Sequence, residues 1–108
     1  MATAIYREQV IVLAEAGADL ILIETMNDIE EALCAVRMAR AHTSLPVFCS
    51  FAFNAKGRTM MGLRAGDAAR RVAEAGANAV GANCGEGPEA VRVAIEGMHE
   101  AVDLPLIA

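Results

Sequence analysis

A shift of 59 positions lays the chain onto itself. The string AEAGA stands at residues 14–18 and again at 73–77, and Leu45-Pro46 returns as Leu104-Pro105, each pair 59 positions apart. Two unrelated landmarks sharing one offset mark an internal repeat, and a repeat constrains the architecture before any local propensity does. The same shift sets DLILIET opposite NAVGANC and Glu30 opposite Glu89.

Each repeat reads as helix, Ala-Gly-Ala turn, strand, helix, Leu-Pro turn, strand. The first helix, about 4–16, places Tyr6, Val10, Leu13 and Ala14 on one face. The second, about 28–41, carries Ile29, Ala32, Leu33, Val36 and Ala39 as a stripe at helical spacing. Asp28 with Glu31 three residues on fits a reciprocal capping box. The third, about 66–75, stops at Gly76 as the first stops at Gly17. The fourth, about 88–101, starts on Pro88, suited to a first helical position, and aligns Val91, Ala94, Ile95 and Met98. Between them lie short apolar strands at 20–23, 47–53, 79–82 and 106–108, expected to be covered on both faces.

Helix and strand alternating at about 30 residues per unit give βαβ units with right-handed crossovers. Four copies of the repeat would make roughly the 250 residues of a (β/α)8 barrel; a doubly wound open sheet is the alternative. With 108 residues the expectation is an α/β fold, a fragment of a TIM barrel with about three to four βα units. Residues 1–108 are then one partial domain, cut from the middle of a barrel and truncated at both ends.

Composition removes several function classes. Hydrophobic residues are 56% of the chain and aromatics 4%, so the core is aliphatic and alanine-rich and disorder is excluded. A net charge of −5 with no basic run argues against nucleic acid and anionic membrane as partners. No apolar stretch approaches the roughly 20 residues that span a bilayer, and the N-terminus has no signal-peptide pattern. Cys34, Cys49 and Cys84 are odd in number and widely spaced, which points to a reducing cytoplasm.

Reactive groups of parallel α/β folds sit at the carboxyl ends of strands. Three places qualify: Glu24-Thr25, the Ser50 to Phe53 segment with its following loop, and Asn83-Cys84. The repeat superposes Glu24 on Asn83 and Thr25 on Cys84, so neighbouring strands would carry a carboxylate, an amide and a thiol toward one mouth. Each also has a plain structural explanation. Glu24 can be half of a salt bridge, Asn83 can satisfy strand-end backbone groups, and Cys84 can be a small hydrophobe beside a turn. One thiolate is not a zinc site, which takes three or four ligands; Cys34 on a helix and Cys49 in mid-strand are away from the rim. GEGPEA at 85–90 has the form of a phosphate-binding turn at Gly85-Gly87, but Pro88 removes an amide and Glu86 and Glu89 oppose an anion. The loop NAKGRTMMG, 54–62, sets Lys56 and Arg58 near the same rim, to contact an anion or to stand in solvent. His42 and His99 fall near helix C-termini, where they favour the dipole.

Taken together, DLILIETMNDIEEALCAV, LPVFCSFAFNAKGRTMMG, AEAGANAVGANCGEGPEAV and DLPLIA resemble the homocysteine S-methyltransferase family, with the flavour of the homocysteine-binding barrel of cobalamin-dependent methionine synthases. The resemblance covers essentially the whole chain, and GRT-x-x-G and G-x-N-C followed by G-P are its most specific pieces. It implies transfer of a methyl group to the homocysteine thiolate, giving methionine. Zinc would be held by three cysteines, of which Cys84 in G-x-N-C is the first. Glu24 would bind the homocysteine amino group, with Thr25 and Asn83 at or beside the substrate. The other two ligands come from a Gly-Gly-Cys-Cys segment absent from this chain, and the opening strands are absent too, so the fragment is expected to be inactive alone. A corrinoid or methyltetrahydrofolate on another domain would supply the methyl group, or a betaine- or S-methylmethionine-type donor. The competing expectations are a non-catalytic half-barrel that self-associates as a homo-oligomer through its exposed edges, and a different barrel enzyme with phosphate at Gly85-Gly87.

Overall fold

The computed structural model describes residues 2–108. The elements run α1 (Ala2–Glu15), β1 (Ile21–Met26), α2 (Ile29–His42), β2 (Val47–Phe51), α3 (Ala65–Ala75), β3 (Ala79–Ala82), α4 (Pro88–Ala101) and β4 (Leu106–Ile107). All strand pairs are parallel, in the order β1-β2-β3-β4. A doubly wound sheet reverses direction at a switch point. Here order follows sequence without reversal, and one apolar core joins residues of all four helices to the sheet. That is an arc of a (β/α)8 barrel.

Local chemistry explains the helix limits. The Asp28 side chain caps α2 by accepting from the backbone N–H of Glu30. The reciprocal half of the expected capping box does not form, because Glu31 instead accepts from the Tyr6 hydroxyl and ties α1 to α2. Gly76 closes α3 at φ 115, in the left-handed region that glycine enters freely. Pro88 opens α4, and His42 and His99 occupy the last turns of α2 and α4.

The register sorts the strand residues. Ile21, Ile23, Val47, Cys49 and Val80 lie in register on the face that packs against the helices, and all are buried. Ala32, Ala35, Ala39, Ala68, Ala69 and Ala94 have no exposed surface, so the helices sit close on the sheet. Leu22, Glu24, Phe48 and Ser50 alternate onto the other face, which would be the inside of a barrel. Leu22 is 49% exposed there, so β1 is covered on one face and not on both as expected. On α1, which packs chiefly on α2, Val10 is buried but Leu13 is 44% exposed.

Candidate functional site at the carboxyl ends of the strands

Two strand boundaries differ from expectation, and both bear on the site. β1 continues to Met26, which pairs with Phe51 after a register shift between Ile23 and Met26. Glu24 and Thr25 therefore lie inside the strand at that irregularity, not beyond its end. β2 stops at Phe51; Phe53 is buried by packing its ring on Phe51, centroids 6.0 Å apart. β1 and β3 are also not neighbours, since β2 runs between them.

Thr25 and Cys84 are the non-glycine residues with positive φ among the described residues, at 58° and 54°. They are the pair that the 59-residue shift superposes. Such a conformation costs of order 1–3 kcal/mol and persists only where surrounding contacts impose it, most of all for a β-branched residue. For Thr25 the contacts come from Asn83. Its Oδ1 accepts from the Thr25 backbone N–H at 3.2 Å and from Ser50 Oγ at 2.7 Å. Its Nδ2 donates to Thr25 Oγ1 at 2.7 Å and to Cys84 Sγ at 3.4 Å. An amide has two acceptor lone pairs and two donor hydrogens, so the Asn83 side chain is fully engaged.

Glu24 faces the same space. Its Oε2 accepts from Thr25 Oγ1 at 3.3 Å, and among the described residues no cation pairs with it. Glu24, Ser50 and Asn83 line a cavity of about 180 Å³ whose remaining wall is Leu22, Ala82, Ile107 and Ala108. A polar edge on an apolar floor suits a small amphiphilic ligand. Ser50, 4% exposed, opens the rim segment that the sequence singles out, but sequence reasoning gave its hydroxyl no partner; the structure gives it Asn83.

The thiols are unlike one another. Cys84 is exposed, whereas burial pushes the Cys49 thiol up to about 12 and Cys34 is half-buried, with Sγ 3.3 Å from Thr3 Oγ1. Among the described residues no three His, Cys, Asp or Glu side chains stand together as a metal site. Cys84 offers one accessible sulfur, and a metal centre needs ligands beyond it.

Two other candidates are not part of this cavity. A Cβ at Gly85 would overlap the Phe53 carbonyl oxygen, and Glu86 accepts from the Ala55 N–H. Gly85 and Glu86 are thus packed against the loop after β2, while Gly87 stands open. Lys56 and Arg58 line a separate groove with Arg64 and Arg70 between α3 and α4. Their loop is braced by Asn54 Oδ1, which accepts from the Lys56 and Arg58 N–H groups, and by buried Thr59. No helix is long and apolar enough to cross a membrane among the described residues.

Comparison with known proteins adds to this geometry. The family described as homocysteine S-methyltransferase matches residues 1–108. A Rattus norvegicus protein named S-methylmethionine–homocysteine S-methyltransferase BHMT2 is 33% identical over 101 residues, covering 90% of this chain and 27% of its own. Methionine synthase of Mycobacterium tuberculosis (strain ATCC 25618 / H37Rv) is 33% identical over 88 residues, 77% of this chain and 7% of that protein. The apo crystal structure of the homocysteine methyltransferase MmuM from Escherichia coli superposes with a TM-score of 0.86 at 26% identity, covering 98% of this chain and 41% of that one. The chain thus spans about a quarter of the first relative's length and under half of the structural neighbour's.

Proposed function

The chain belongs to the homocysteine S-methyltransferase family, and from that premise we propose that residues 1–108 carry the amine-binding part of a homocysteine site. The observation that carries the reading is the hydrogen-bonded cluster of Glu24, Thr25, Asn83 and Cys84, of which Glu24 and Asn83 line the cavity, with a Glu24 carboxylate that no cation pairs among the described residues. The reaction would form a bond between the homocysteine sulfur and a methyl carbon as the bond from that carbon to the donor breaks. The sulfur attacks as thiolate, the nucleophilic form of a thiol.

In this reading Glu24 pairs with the substrate ammonium and holds the amino acid by one end, so its contribution is positional. Thr25 donates to that carboxylate. Asn83, its amide spent on Thr25, Ser50 and Cys84, keeps the two strand ends together and does not itself grip the substrate. Cys84 stands exposed where it can give one thiolate to the zinc that the family resemblance implies; bound zinc would lower the pKa of the substrate thiol. The described residues supply that one ligand and no complete centre, so the chain alone is not expected to turn over. The relatives named share homocysteine or methionine in their names, and one of those names also gives S-methylmethionine, so the acceptor side is the part supported. A methyl-donor domain, bearing a corrinoid or folate, would face this edge in a longer protein. The free thiols of Cys34, Cys49 and Cys84 support a cytoplasmic location.

The test is calorimetry of L-homocysteine and of zinc on the purified chain, with Glu24→Gln and Cys84→Ser. Homocysteine affinity lost in Glu24→Gln supports the site; affinity indifferent to Glu24 sinks it. Tight zinc binding lost in Cys84→Ser would instead mean that an assembly of chains completes the centre. Self-association has an observation of its own in the exposed inner side of β1 and the exposed Ile5, Val12 and Leu13 of α1, and sizing of the same sample reads it.

A further inference from the structure

The hydrogen bonds at the cavity edge form one directed chain, and its direction follows from its ends. A carboxylate only accepts, so between Thr25 Oγ1 and Glu24 Oε2 the threonine donates. What Thr25 Oγ1 then turns toward Asn83 is a lone pair, so Asn83 must present Nδ2 to it, as it does at 2.7 Å. Oδ1 is thereby turned the other way. The Thr25 backbone N–H, which can only donate, requires the same orientation independently. The group left facing Oδ1 is the buried Ser50 hydroxyl, at 2.7 Å, and it must donate.

We propose that Ser50 is a positioning residue of the homocysteine site, whose hydroxyl fixes the Asn83 amide and, through the Thr25 hydroxyl, holds the Glu24 carboxylate toward the substrate ammonium. This rests on the reading that Glu24 receives that ammonium. A buried serine in a strand needs only some partner, and Asn83 is the one recorded for this hydroxyl. The geometry asks more of it than satisfaction. Without Ser50, one lone pair of Oδ1 is left empty and the amide is held by Thr25 and Cys84 alone, in the same orientation but with more freedom about its torsions. Thr25, in a left-handed conformation that these bonds support, would then be held less firmly, together with the carboxylate beside it. Groups that orient a binding residue act on affinity through it.

The experiment uses the purified chain, L-homocysteine, and 4-mercaptobutanoate, which is homocysteine without its amine. Ser50→Ala is expected to weaken homocysteine by about 10-fold while leaving 4-mercaptobutanoate unchanged, and Ser50→Thr, which keeps the hydroxyl, to retain wild-type affinity. In a Glu24→Gln background Ser50→Ala should add almost nothing, the non-additivity expected of residues acting in series. NMR of the Asn83 side-chain amide gives a ligand-free readout: slow solvent exchange in the wild type, fast exchange in Ser50→Ala. An unchanged amide, or equal weakening of both ligands by Ser50→Ala, overturns the proposal. Glu24→Gln weakening homocysteine while Ser50→Ala does not overturns the proposal alone. Homocysteine binding indifferent to Glu24 overturns the substrate reading first, and the positioning role with it.

Discussion

Replacing Gly81 by alanine tests the packing that shapes the cavity wall. Gly81 lies in β3 beside Ile107 of β4. A Cβ there would overlap the Ile107 carbonyl oxygen and Cγ1 and stand 2.8 Å from its carbonyl carbon. Backbone cannot rotate aside as a side-chain end can, so the strands must part. Overpacking of this kind costs about 1–3 kcal/mol. The ceiling is the attachment of β4 itself. That attachment consists of two ladder positions at about 1 kcal/mol each and two half-buried aliphatic side chains at about 1 kcal/mol each, near 4 kcal/mol together. The expected loss is therefore about 2 kcal/mol, and it is local. Hydrogen exchange should quicken at the Val80 amide, which donates to Pro105 across the β3–β4 seam, while the Asn78 and Asn83 amides, which donate to Val47 and Phe51 of β2, keep their protection. Urea midpoints give the magnitude. Gly97→Ala supplies the opposite sign from the same chemical change. Its Cβ would meet nothing nearer than 3.9 Å inside α4, so it should stabilise by about 0.5–1 kcal/mol through helix propensity. If Gly81→Ala is neutral or stabilising like Gly97→Ala, β4 does not approach β3 as described and the cavity wall is wrong.

Other consequences can be measured on the same chain. A thiol reagent at neutral pH should modify Cys84 readily and leave Cys49 untouched until denaturant is added, because burial holds the Cys49 thiol protonated up to about 12. Tyr6, the single tyrosine, is raised from 10.0 to about 12 by its bond to Glu31, then by burial and by the Glu31 and Cys34 charges. A raised acid stabilises the fold below its unfolded value and loses that contribution as pH climbs through the folded one. Stability should accordingly fall between about pH 10 and 12, and Tyr6→Phe should flatten that part of the curve; an unshifted tyrosinate absorbance titration refutes it. Met98→Ala, at a site with no exposed surface, should cost about 2–5 kcal/mol in urea unfolding.

How much of this was legible in the sequence depended on whether the signal was local. The α2 stripe, the Asp28 cap, Gly17, Gly76 and Pro88 each announce themselves within a turn of where they act, and the structure agrees with them. β1 was cut short because Glu24 looks like a terminator after an apolar run. The inner side of that strand is open, so its carboxylate reaches the cavity without desolvation and the strand runs on to Met26. Phe53 failed in the other direction, since a ring buried beyond a strand reads like one buried in it. Glu31 left its expected partner at Asp28 for Tyr6, 25 positions away in the chain, and Ser50 bonds Asn83, 33 positions on. No local pattern encodes either choice.

The repeat itself carried more than its landmarks suggested. It superposes Thr25 on Cys84, and the two share a left-handed backbone as well as a place in the alignment. Each copy therefore carries a left-handed residue here, inside β1 in the first and just past β3 in the second, and the copies differ in what they hang beside it: an acid and a hydroxyl in one, an amide and a thiol in the other. A symmetric pair of carboxylates would repel, and a symmetric pair of amides would offer an ammonium no charge. The difference lets the second copy's amide reach across β2 and brace the first copy's left-handed residue, so that strain at Thr25 is met by bonds from Asn83. In this arc of barrel the backbone shared by the two copies provides the placement, and the side chains that differ between them provide the charge, the amide and the thiol.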